Sequence, residues 1–159
     1  MSDLLMPVTS KTAKAIATFV VTEYFKMDSS KKARCKIMAL GNDFRENFLG
    51  KVEENIPART LVVSELQEHS RSQDILALLG DRAETALAHV FELLCDQRNG
   101  ETGALNADGR GNVVYARDMT GTLRDMSLTW FNQPRGWFID SFEIGGQHGW
   151  PRTSRVVSL

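Results

Sequence analysis

The sequence predicts an α+β fold, with N-terminal helices packed on an antiparallel sheet formed mainly by the C-terminal half. Three observations carry this. Apolar residues recur three and four apart through much of the first hundred positions, the period of a helix with one buried face. From Asn112 onward the pattern changes to strands, and Met126, Leu128 and Trp130 alternate with Asp125, Ser127 and Thr129, the period of a half-buried strand. Between the two regimes, Gly100 to Gly111 holds four glycines with Asn106 and Asp108, a loop composition.

The elements follow in order. Residues 1–8 read as a loose lead-in, with Pro7 placed to open a new element. Thr9 or Ser10 can cap a helix whose stripe is Ala13, Ile16, Ala17, Val20, Tyr24 and Met27. Asp28-Ser29-Ser30 is a turn and a second cap. Behind it Ala33, Ile37, Leu40, Phe44, Phe48 and Val52 keep helical spacing, with Gly41-Asn42 as a bend between two short helices. Pro57 closes that region, and "ARTLVVSEL" reads as a strand. "QEHSRSQ" is a polar loop. A third helical region spans Asp74 to Arg98, and Asp81 with Glu84 resembles a capping pair that restarts the helix after Gly80.

The strands "NVVYARD", "GTLRDMSLTWF", "GWFIDSFEI" and "SRVVSL" come last, two of them joined by "NQPRG" as a hairpin. No internal repeat occurs, and 159 residues suit one domain over 1–159.

Composition narrows the function classes. The chain is 42% hydrophobic and 25% charged, a globular balance, and its net charge of −1 argues against a dedicated nucleic-acid binder. No apolar run is long enough to span a membrane, and the acidic start lacks a signal pattern, so a cytoplasmic protein is expected. Two cysteines, Cys35 and Cys95, fit reduced thiols better than a disulfide framework. No metal or cofactor is expected. His69, His89 and His148 are scattered, His89 with Glu92 and Asp96 fits a solvated helix face, and the calcium-like "NADGRGNVVYAR" puts arginines at two ligand positions. No nucleophile or phosphate-loop signature occurs.

The stretch "RGWFIDSFEIGGQHGW" holds the candidate site. Trp137 and Ile139 point to one face of its strand; Phe138, Asp140, Phe142 and Ile144 point to the other. Both faces are apolar apart from Asp140. A carboxylate so placed is paired, with Arg117 or Arg124 as candidates, or lies at a rim, or serves a function. Trp130, Tyr115 and His148 are candidates to line a recess around it. Because the leading helices can cover only one face, a homodimer is expected through the other.

Met126-Ser127-Leu128-Thr129-Trp130, the "NQPRG" turn and Gly136-Trp137-Phe138-Ile139-Asp140, following leading helices, resemble the curved, cone-like α+β fold of the nuclear transport factor 2-like (SnoaL-like) superfamily. That resemblance implies a pocket between the concave sheet face and the helices, and often a dimer through the other face. Its members include isomerases, dehydratases, hydrolases and non-catalytic binding or immunity modules, so it does not choose a function.

The first reading is non-enzymatic binding of a small apolar ligand or a protein partner, as an accessory or immunity protein does. The alternative is a cofactor-free enzyme of isomerase, dehydratase or hydrolase type, with Asp140 as general base near Tyr115 or His148. A third is weak nucleic-acid binding through the Lys26–Lys36 cluster.

Overall fold

The computed structural model describes residues 3–159 and is built on one curved, open, seven-stranded sheet. Its strands are β1 (Leu5–Ala13), β3 (Ile37–Leu40), β5 (Arg59–Leu66), β7 (Asn112–Arg117), β8 (Leu123–Asn132), β9 (Arg135–Phe142) and β11 (Arg155–Ser158). Across the sheet they run β1-β5-β11-β7-β8-β9-β3. The pairs β11–β7 and β3–β9 are parallel and the others antiparallel. Two small ribbons flank it: β2 (Ile16–Val20) with β4 (Val52–Ile56), and β6 (Ser70–Arg71) with β10 (Gly149–Trp150). The helices are the single turn α1 (Val21–Tyr24), α2 (Asn42–Phe48), α3 (Ser72–Leu79) and α4 (Leu87–Asp96), with a 3-10 turn at Gly80–Arg82. None is long and apolar enough to cross a membrane.

The α+β class and the C-terminal strands stand, whereas the N-terminal third differs from the expectation. Leu5–Pro7, expected in the lead-in, already lie in β1, and the expected first helix is β1, β2 and one helical turn. The segment is rich in Val, Thr and Ile, whose branched Cβ suits a pleated surface more than a helix. The expected helix pair over Ala33–Val52 is instead β3 followed by α2, with the break at Gly41. The third helical region does divide near Gly80, into α3 and α4.

Period-two alternation distributes the side chains to two cores. On the first face, Val63, Val157, Val114, Met126, Leu128, Trp130, Trp137 and Ile139 pack with Leu87, Val90, Phe91 and Leu94 of α4 and with Phe44 and Phe48 of α2. Trp130 and Trp137 are cross-strand partners meeting edge to face at 5.6 Å, and Trp137 Nε1 donates to the Gln97 carbonyl. The space between sheet and α4 is thus filled by large rings. On the second face, Leu66, Val113, Tyr115 and Val156 pack with Ile75 and Leu79 of α3 and with Trp150. That cover stops short of the β8–β9–β3 end of the sheet, where Ser127, Thr129, Phe138 and Asp140 are half-buried and Phe131 is 41% exposed.

Candidate functional site

A buried polar cluster lies under α3 on the second face. Tyr115 and Asp125 are register partners on β7 and β8, so their side chains stand together. Ser72, the first residue of α3, is brought over them by the β6–β10 ribbon, which also sets Trp150 beside it. Ser72 Oγ donates to Asp125 Oδ2 at 2.5 Å and accepts from Tyr115 Oη at 3.2 Å and from Trp150 Nε1 at 3.0 Å. One hydroxyl therefore ties helix, ribbon and sheet.

Asp125 is 1% exposed, and its Oδ1 has no hydrogen-bond partner. Burial pushes its carboxyl up to about 6, against the opposing influence of the Ser72 hydroxyl, the Phe142 backbone amide and the Arg124 charge. Burial also raises the Tyr115 phenol and lowers the His148 imidazole. His148 stacks on Phe142 at 4.2 Å and meets Trp150 edge-on at 4.6 Å. A carboxyl that titrates near neutrality can move a proton, but this one is sealed beneath α3 and Trp150.

The candidates from the sequence fall into three places. Tyr115, Phe142 and His148 gather at this cluster. Trp130 is on the opposite face, in the main core, with its Nε1 donating to Asn132 Oδ1. Phe138 and Asp140 lie on the uncovered part of the second face, Phe138 meeting Phe131 edge to face at 6.2 Å. Asp140 has no arginine partner among the described residues: Arg117 pairs with Glu84 and Arg124 with Asp118. Its carboxylate accepts from the Ser141 backbone N–H at 2.9 Å and leans over Gly41, where any Cβ would collide with it. It borders none of the five main cavities.

The largest cavity, about 490 Å³, opens between β4 and the start of α4. Its wall includes Lys51, Glu53, Glu54, Arg59, Asp81 and Glu84, which suits water and ions more than an apolar ligand. His89, expected on a solvated face, is 1% exposed there and its Nε2 bonds the Lys14 carbonyl. The helix is buried on several sides because β2 and β4 pack against it as well as the sheet. Among the described residues no group of three or more His, Cys, Asp or Glu is placed to hold a metal ion. Cys35 and Cys95 are free thiols.

Sequence reasoning missed Ser72, Asp125 and Trp150. Asp125 alternates with Met126 and Leu128 and so reads as a solvent-facing residue. The available signal was "NVVYA" in β7, apolar on both faces, which marks a strand covered on both sides and implies the same for part of its neighbour.

Fold and site together define an open-sheet α+β protein with a closed polar cluster at Ser72 and a sheet face left partly uncovered. The chain matches no family model, no curated protein and no solved structure.

Proposed function

We propose that this chain is a binding protein rather than a catalyst, and that its partner is a second copy docked on the uncovered end of the second sheet face. The observation that carries the reading is the surface formed by Phe131, Phe138, Thr129, Ser127 and Asp140, where the sheet has neither helix nor ribbon over it. Large rings left at a sheet surface favour a protein partner, and aromatic residues are enriched at such contacts. The patch holds a single charge, so two copies can meet about a twofold axis with little like-charge repulsion. A protein partner is favoured over a small apolar ligand because the largest cavity has charged walls.

Light scattering tests this. The wild-type chain is expected at twice its 17.8 kDa mass at high micromolar concentration, and Phe138→Glu is expected as a folded monomer. A wild-type monomer under those conditions would sink the reading.

A further inference from the structure

The net charge of −1 conceals an uneven distribution. The segment before β3 carries Lys26, Lys31, Lys32, Arg34 and Lys36, and folding brings Arg98 and Arg135 to it from distant parts of the chain. The Lys36 backbone N–H donates to the Arg98 carbonyl at 3.0 Å, and Arg98 Nη2 donates to the Lys31 carbonyl at 2.9 Å. Lys36 Nζ and Arg135 Nε converge on one acceptor, Asn99 Oδ1, at 2.7 and 3.2 Å. Lys31, Lys36, Arg98 and Arg135 thus meet at the corner where β3, the tip of the β8–β9 hairpin and the end of α4 come together, and Lys26, Lys32 and Arg34 line the groove beside Tyr24 and Phe91.

None of the seven makes an ion pair among the described residues, whereas Lys51, Arg110, Arg117 and Arg124 elsewhere each face a carboxylate. Asp28 faces Lys26 and also accepts the Ser30 backbone N–H, Glu101 faces Arg98 and Lys36 and also accepts that of Asn99, and Glu92 and Asp96 stand beside Arg34, so the excess of positive charge is partly offset. Glu23 stands at the margin beside Lys26 and Lys32. The negative end of α4 draws cations to this corner but is equivalent to only about half a charge. Two cations converging on a neutral amide oxygen mark a place where an anionic oxygen would be held more strongly.

We propose that this corner binds nucleic acid through its phosphate backbone, without reading the bases. The composition favours that partner over the other polyanions. Lysine is depleted at protein–protein contacts, yet four of the seven cations are lysines, and lysine serves phosphate neutralisation well. Stable lipid attachment needs apolar insertion beside the charge, and Met27 is the one large apolar residue more than a third exposed on the Lys26–Lys36 segment. The corner adjoins the uncovered sheet face at Arg135 and Phe131, but Lys31 and Lys32 lie off that face, so their variants test this proposal apart from self-association.

The test is fluorescence anisotropy with a labelled mixed-sequence oligonucleotide of about 20 nucleotides, single-stranded and duplex, at about 50 mM salt. Binding is expected, with log affinity falling against log salt at a slope of roughly −3 to −5. Lys31→Glu with Lys32→Glu, both exposed and remote from the cores, is expected to weaken binding at least about tenfold, as is Arg135→Glu. Arg110→Glu, at a position whose charge Asp108 already matches, is expected to stay within about twofold. Absence of binding by the folded wild-type protein would overturn the proposal, and so would equal weakening in Arg110→Glu. Binding to phosphatidylserine vesicles without binding to the oligonucleotide would overturn it too, assigning the corner to lipid.

Discussion

Two aspartates, Asp125 on β8 and Asp118 just past the end of β7, show how surroundings decide what a carboxyl group does. Asp125 is enclosed with one oxygen unpartnered, and its folded pKa is raised from the usual carboxylate value to about 6. The folded state therefore holds that proton more tightly than the unfolded chain does. The stability it contributes is full below about pH 4 and is lost as pH rises through about 6. Asp118 works in the opposite sense: burial would raise it, but Arg124, Thr120 and the Thr122 backbone hold it at about 2, so its contribution is present above about pH 4 and fades toward pH 2. Asp125→Asn keeps an acceptor for Ser72 and removes the titration. Relative to the variant, wild type should lose about 3 kcal/mol between pH 4 and pH 7.5, read by urea titration at both values. Parallel stabilities at the two pH values would refute the buried, titrating Asp125. Asp140→Asn in the same series should move stability by no more than about 0.5 kcal/mol, since no cation is left behind uncompensated.

At the scale of elements, α4 depends on a cap that its own sequence does not supply. Its N-cap residue, Ala86, offers no side-chain bond. Glu53 reaches across from β4 instead, its two oxygens accepting from the backbone N–H groups of Leu87 and Ala88 at 2.9 and 3.0 Å. A carboxylate there meets both the unsatisfied donors and the positive end of the helix. Lys51 Nζ, 3.1 Å from Glu53, steadies it. Glu53→Ala is expected to cost about 1–2 kcal/mol in denaturant titration, a typical cap loss. A cost under about 0.3 kcal/mol would mean that water replaces the cap without penalty. The capping pair expected from sequence, Asp81 with Glu84, lies in the 3-10 turn and before α4, where Glu84 binds Arg117 instead. Local spacing could not reveal a cap supplied from more than thirty residues upstream.

For the molecule as a whole, the sheet has more area than its helices can cover. α4 and α2 close the first face, while α3 and the β6–β10 ribbon close about half of the second. What remains is nearly neutral at the β8–β9–β3 end and strongly basic at the adjoining corner. The two proposed contacts should therefore respond differently to salt. Self-association through Phe131 and Phe138 should keep its light-scattering mass between about 50 and 500 mM salt, since apolar contact is not screened. Oligonucleotide binding should fall steeply over the same range. A dimer that dissociates in step with oligonucleotide release would place charge, not the rings, at the dimer contact.

The C-terminal half was legible in the sequence because its signals are local. Met126, Leu128 and Trp130 alternate cleanly, "NQPRG" marks a hairpin, and the glycines of 100–111 mark a loop; β7, β8 and β9 are neighbours both in the sheet and in the chain. Volume and period mark Trp130, Trp137, Ile139 and Phe142 as core residues, and the first three are buried whereas Phe142 is half-buried beside His148 and Trp150. Tertiary structure decided the rest. Ala13, Ile16, Ala17 and Val20 satisfy a helical spacing and a strand composition equally well, and long-range pairing with β5 and β4 resolves the choice. Asp125 became buried, and Asp140 stayed half-open, because α3 covers one end of the sheet and not the other. Lys36 and Arg135 came together because both reach Asn99, 63 and 36 positions away. Each of these depends on which distant backbone arrives to cover or pair with a residue, and spacing along the chain carries no record of that.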